Sequence, residues 1–301
     1  MDAQEDIKEL VEGFGLSTAE ILMVGHINRT MDRKQVLTRL KGDLQAAIAV
    51  ELATIPIYLY TYYSIYRNKV SGENLTEPQQ FANQAGGVIM SVAVEEMLHM
   101  SLSSNIYFAL TGEPPVLYKN APGEYPAMLP HHNPVGPPGP HGGVDTHIPL
   151  GVLSFEQLWH FLQIEYPQYP TNETLPFEAL FEALMHPEKL NEWLHQHGWP
   201  SDQNWNSIGQ FYSYIRCLIA SRFITDADFQ NGGRDQQIQP YNYAPNNIDT
   251  LYPKEKFNSW RPAPGATWTE ADKAAAGDKP DFMRDDVTGA AQATVTEAAE
   301  Q

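Results

Sequence analysis

Two stretches of the chain are apolar at almost every helical position. Val88 to Leu110, VIMSVAVEEMLHMSLSSNIYFAL, contains no lysine or arginine. Its only charged residues are Glu95 and Glu96, and His99 follows one turn on. Ala46 to Tyr66 carries a single charge, Glu51. A helix apolar on all sides is a buried helix. A carboxylate inside such a helix is costly unless it is paired or bound to a metal. Glu96 and His99 stand three residues apart and share one face. Glu-x-x-His on an inward face is the half-site of carboxylate metal centres in helical bundles.

Capping signals divide the pattern into elements. Asp32 and Gln35 have capping-box spacing and start a first long helix that runs to about Tyr66. Pro56 inside it predicts a kink or bulge. Five tyrosines follow, Tyr58, Tyr60, Tyr62, Tyr63 and Tyr66, as packing residues with polar tips. After a polar loop, Thr76, Pro78 and Gln79 start a second helix that stops at Thr111-Gly112, ahead of Pro114. Helices joined this way are antiparallel, and their lengths bring Glu51 level with Glu96 and His99.

Ser154 and Gln157 open a third helix, FEQLWHFLQIEYP, which stops before Pro167. Glu165 lies at its end, on the face of Leu158, Phe161 and Leu162. A fourth helix, from about Ser207 to Phe223, has an apolar stripe and neither acid nor histidine; Gln210 is its carboxamide. Segment 113–153 is a long Pro-, Gly- and His-rich crossover. His131, His132, His141 and His147 in it lack helical ligand spacing and read as surface or structural histidines. Segment 168–205 reads as a polar insert with short helices near Phe177–His186 and Glu188–His197. It holds a second Glu-x-x-His, Glu192 to His195, among Lys189, Asn191 and Gln196. That is a solvated face and reads as coincidence.

The expected organisation is an all-α four-helix bundle over residues 33–229. Residues 1–32 form a polar N-terminal extension with a short amphipathic helix near Ile7 to Val11. Residues 230–301 form an irregular C-terminal wrap and acidic tail. The sequence shows no internal repeat of bundle or solenoid length.

Composition narrows the functional classes. In 301 residues, 37 acids against 19 bases leave a net charge of −18. That argues against nucleic acid and anionic membrane surfaces, both of which favour basic patches. The one cysteine, Cys217, excludes an internal disulfide or CxxC pair and reads as a small core residue. The acidic start, MDAQEDIKELVEGFG, does not have the form of a signal peptide, so the expected location is cytoplasmic.

The segments AVELATIPIYLY, VEEMLHMSLSSNIYFALTGEPP, FLQIEYP and IGQFYSYI resemble the ferritin-like family of iminophenylpyruvate dimer synthases, the violacein-pathway type of ferritin-like domain. The resemblance spans roughly residues 33–225. It implies metal between the helices, with Glu51, Glu96, His99 and Glu165 as ligands; Glu95 and Gln210 are further candidates. Relatives commonly place Glu or His where this chain has Gln210, so the second position of a paired site is in question. Iron, as one or two ions, is the implied cofactor, and manganese or zinc suits the same donors. The implied activity is a non-haem iron oxidase or oxygenase acting on a small amino-acid-derived or secondary metabolite with dioxygen or peroxide. A metal-binding, storage or inert scaffold protein is the alternative, and a homo-oligomer is compatible with either.

Overall fold

The structure, a computed structural model, describes residues 13–66, 76–117, 121–128, 147–165, 176–196, 199, 205, 207–233 and 237. The chain is all-α. Its helices are α1 (Thr18–Thr30), α2 (Arg33–Ser64), α3 (Glu77–Thr111), α4 (Phe155–Ile164), α5 (Phe177–Met185), α6 (Pro187–Gln196) and α7 (Ile208–Ile219), followed by a 3-10 turn at Asp226–Phe229. Among the described residues the only β feature is an isolated antiparallel bridge, Ala127 to Ile148.

Helices α2 and α3 form the most extensive pair. They are antiparallel. Lys41 meets Glu113 at 3.1 Å, and the Gln45 side-chain amide donates to Val116 O at 3.0 Å. Further along α2, Thr54 reaches back to Glu96. Both helices begin and end where the sequence signals them. The Asp32 carboxylate accepts from Gln35 N at 2.8 Å, and Gln35 Oε1 accepts from Asp32 N at 2.8 Å. Gly112 takes the left-handed conformation, φ +70°, that ends α3. Helix α2 runs unbroken across Pro56. A nearby side chain adds a bond to one of its carbonyls, with Tyr125 donating to Ala53 O at 2.8 Å. Helix α2 is long and apolar enough to cross a membrane by composition, but most of that stretch is buried within the molecule.

Two expectations need correction. The first is the polar extension: its residues 18–30 form α1, a core helix. Ser17 and Glu20 close a capping box, and Ile21, Leu22, Val24 and Ile27 are fully buried. Burial of each such side chain stabilises by about 1.5–3 kcal/mol. The buried Glu20 carboxylate binds Arg216 of α7 at 2.9 Å. Gly25 allows close approach to α5, since a β-carbon there would meet Leu184 Cδ2 at 2.3 Å. The helix near Ile7 lies outside the described residues. The second is the polar insert: its helices α5 and α6 bury Leu180, Ala183, Leu190 and Leu194 against α1 in the main core.

The apolar interior is split. One cluster joins α1, the first half of α2, the end of α3, α5, α6 and α7. The other joins α2 beyond Ala53, α3 from Ile89 to Val94, and α4. After α7 the chain returns to α3. Asn231 N donates to Ala109 O at 3.0 Å, and Arg33 pairs with Asp228 at 2.5 Å. This closes the α3 C-terminus.

Candidate metal centre

The seam between the two apolar clusters falls at Glu51 on α2 and at Glu96 and His99 on α3. Each helix carries a polar lane at helical spacing inside an otherwise apolar surface. On α2 the lane is Glu51, Thr54 and Tyr58; on α3 it is Glu96, His99 and Ser103. Antiparallel packing sets the lanes against each other. One donor atom from each of Glu51, Glu96 and His99 falls in a group lying within 4.8 Å of one another. His99 Nδ1 is 3.8 Å from Glu51 Oε2 and 3.8 Å from Glu96 Oε1. These distances exceed hydrogen-bond reach. They suit donors that share one ion at about 2.0–2.2 Å each.

The carboxylates are oriented by hydroxyls. Tyr212 on α7 donates to Glu51 Oε1, and Thr54 donates to Glu96 Oε2. In each case the other oxygen is the one facing His99. Glu51 Oε2 is buried without a hydrogen-bond partner among the described residues. A buried orphan oxygen beside an imidazole nitrogen and a second carboxylate is the donor set of a divalent cation. Glu51 is fully buried, whereas the His99 side chain is 41% exposed, so the cluster opens to solvent on the histidine side.

Electrostatics point the same way. Burial pushes the Glu51 carboxyl from its ordinary 4.5 up to about 7, with Glu165 adding repulsion and hydrogen bonds from Glu96 and Tyr212 opposing. Glu96 is raised well above the carboxylate range, first by burial and then by Glu51, while His99 and Thr54 act in the other direction. Glu165 is pushed up to about 8 by burial and by Glu96. No lysine or arginine figures among these influences. Three buried acids without a basic neighbour resist ionisation, and a bound ion would remove that penalty.

Glu165 sits just past α4, at its C-cap. The residue as a whole is partly exposed, but its carboxyl is enclosed and accepts a hydrogen bond from Tyr58 at 2.5 Å. It interacts electrostatically with Glu96 and His99 but stands outside the three-residue group. Glu95, one position from Glu96, is half-buried and also outside that group. Gln210 is fully buried at the start of α7. The residue of α7 that reaches Glu51 is Tyr212, roughly 200° around the helix from Gln210. Sequence reasoning missed Tyr212, because a tyrosine beside an apolar stripe has no ligand signature. The Glu51–Thr54–Tyr58 spacing was a usable signal for the other two hydroxyl donors.

Glu192 and His195 are exposed, and Glu192 Oε1 accepts from Gln196 at 3.2 Å. His147 is exposed. His131, His132 and His141 lie outside the described residues.

A helical protein with a buried carboxylate–histidine cluster between antiparallel helices defines a class, and the chain belongs to a particular family within it. A family model described as Ferritin-like matches residues 44–259, more than half of the chain, and the chain is a member of the ferritin-like family. No curated protein and no solved structure matches it.

Proposed function

We propose that Glu51, Glu96 and His99 hold a redox-active divalent metal, with iron the first candidate, and that the protein is a non-haem iron oxidoreductase. The reading rests on one observation: each carboxylate has one oxygen held by a hydroxyl donor and the other facing His99 Nδ1. Hydrogen bonds that orient ligands in this way are a regular part of metal sites. When bound, iron supplies one-electron chemistry with dioxygen or peroxide.

The chain's own residues have distinct parts. Tyr212 fixes Glu51, and Thr54 fixes Glu96. The exposed side of His99 is where a small molecule would approach. Tyr58 and Glu165 form a hydrogen-bonded pair beside the cluster. Burial and Glu96 push the Glu165 carboxyl up to about 8 in the metal-free chain, and Tyr58 holds it beside the cluster. The substrate class we favour is a small amino-acid-derived or secondary metabolite, through the resemblance to iminophenylpyruvate dimer synthases, in the cytoplasm.

The second reading is metal binding without turnover, in a scaffold or storage role. It draws on Tyr212, since α7 presents a phenol to Glu51 where a paired site would want another acid or histidine.

The test is metal content per chain by mass spectrometry, followed by anaerobic Fe(II) titration and oxygen-electrode measurement. Bound iron with oxygen uptake stimulated by an amino-acid-derived imine supports the enzyme. Bound iron with no uptake across such substrates supports the scaffold. A folded chain that takes up no iron, manganese or zinc overturns both.

A further inference from the structure

Each of the three buried acids of the centre accepts from one hydroxyl. Tyr212 donates to Glu51 Oε1, Thr54 to Glu96 Oε2 and Tyr58 to Glu165 Oε1. The donors come from two helices: Thr54 and Tyr58 lie on α2, and Tyr212 lies on α7. The pattern bears on how many ions the cluster holds, and so rests on the metal-binding reading above.

Paired metal centres set two ions about 3.5–4 Å apart. A carboxylate that joins such a pair gives one oxygen to each ion, so both of its oxygens must be open. Glu51 and Glu96 each have one oxygen engaged by a hydroxyl. The oxygens left over, Glu51 Oε2 and Glu96 Oε1, each lie 3.8 Å from the same atom, His99 Nδ1. They converge on one position. Glu51 Oε2, buried and without a partner among the described residues, belongs to that position.

A second ion has two flanks to enter from, and hydroxyls stand on both. On the α7 flank, the Tyr212 hydroxyl is held from two directions. It donates to Glu51, and it also hydrogen-bonds Ser103, one turn beyond His99 on α3. Ser103 is itself buried. The phenol thus bridges α2 and α3 at the Glu51 oxygen that a second ion would need. On the α4 flank, a second ion would draw on Glu96 and Glu165. Thr54 engages one oxygen of the first, and Tyr58 engages one oxygen of the second at 2.5 Å. A further ligand from outside the described residues would still meet these oxygens already engaged. Such hydroxyls orient a ligand toward one ion.

We propose that the cluster is a single-ion centre: Glu51, Glu96 and His99 hold one divalent cation, and Tyr212, Thr54 and Tyr58 keep a second ion out.

The experiment titrates the full-length, metal-free chain with Mn(II), which suits the same donors. Bound ions are counted by equilibrium dialysis and mass spectrometry, and the loaded chain is examined by electron paramagnetic resonance. The chain carries a net charge of −18, so its surface collects ions as well. The count is therefore the difference between wild type and Glu96→Ala, in which surface ions cancel. The expected difference is one ion per chain, with the spectrum of an isolated Mn(II). Tyr212→Glu, which exchanges the phenol for a carboxylate, should double the count and give an exchange-coupled spectrum. Two ions in wild type with an exchange-coupled spectrum overturn the proposal and leave the metal-binding reading intact. No difference from Glu96→Ala with Mn(II), Fe(II) or Zn(II) overturns both. A folded Tyr212→Glu chain that still holds one ion overturns the part given to Tyr212. If that variant does not fold, the wild-type count and spectrum decide the matter.

Discussion

Glu96–His99 and Glu192–His195 have the same spacing, on helices of the same chain, and opposite fates. Glu96 is buried, desolvated and faced by Glu51, so that its carboxyl is raised well above the ordinary range. Glu192 and His195 are exposed, and Glu192 bonds the Gln196 amide. The four-residue spacing of a Glu-x-x-His turn is therefore not what makes a candidate ligand pair. The difference lies in what surrounds it: an apolar helix that denies water to the acid, and a second helix that supplies another acid. Water satisfies an exposed carboxylate at no cost, whereas a buried one needs a proton or a cation.

The largest effect that would break or sharpen this contrast is loss of the metal. Glu96→Ala or His99→Ala should reduce bound metal to background by mass spectrometry, while Glu192→Ala should leave the stoichiometry unchanged. Retention of metal by the His99 variant would sink the assignment. The next effect is in the orientation of Glu51. Tyr212→Phe should weaken metal binding by about 10- to 100-fold in competition titrations with a chelator, as loss of a ligand-orienting partner does. Tyr60→Phe, on the exposed side of α2, is the matched control and should not change affinity.

A smaller effect is the pH dependence of the metal-free chain. Glu51 and Glu165 have folded-state pKa values raised to about 7 and about 8, from an ordinary 4.5. Above pH 4.5 the unfolded chain releases these protons while the folded chain keeps them. Their contribution is thus fully present below about 4.5 and lost as pH rises through 7 and 8. The melting temperature of the metal-free protein should fall over that window, and Glu51→Gln should flatten the fall. A slope of the same size in the Glu51→Gln variant would contradict the buried-acid account. Metal uptake runs the other way, weakening as pH drops below 7, because the ligand carboxylates must lose their protons. The smallest effect belongs to the wet motif. Glu192→Ala should change stability by less than about 0.5 kcal/mol in urea unfolding, the usual size for an exposed substitution.

Much of this was legible before any coordinates. The Val88–Leu110 pattern, with two acids and a histidine in an apolar run, marked α3 as buried. The capping residues Asp32, Gln35, Ser154 and Gln157 placed helix starts within a residue. Gly112 marked the end of α3. Periodicity and caps are local, so a single sequence carries them. Helix α1 was also signalled, by Ser17 and Glu20 ahead of the apolar run ILMV, but the acidic segment before it drew the reading toward a solvated extension. Polar composition misled again at α6, PEKLNEWLHQ, whose buried Leu190 and Leu194 lie on one face of an otherwise polar helix.

The sequence by itself determined which acids could not be left to water: Glu51 and Glu96 sit in runs with no neighbouring base, and helical spacing ties each to a face. Only the tertiary structure decided which groups meet them. Tyr212 lies far along the chain from Glu51, and nothing local distinguishes it from Gln210 as the residue α7 turns inward. The rotation of α7 against α2 decides that, and the rotation follows from the packing of the whole apolar stripe. The same holds for Trp205, which is buried against Phe211 and Tyr214 of α7. Local pattern sets which side chains must be buried; packing sets which partner each one finds.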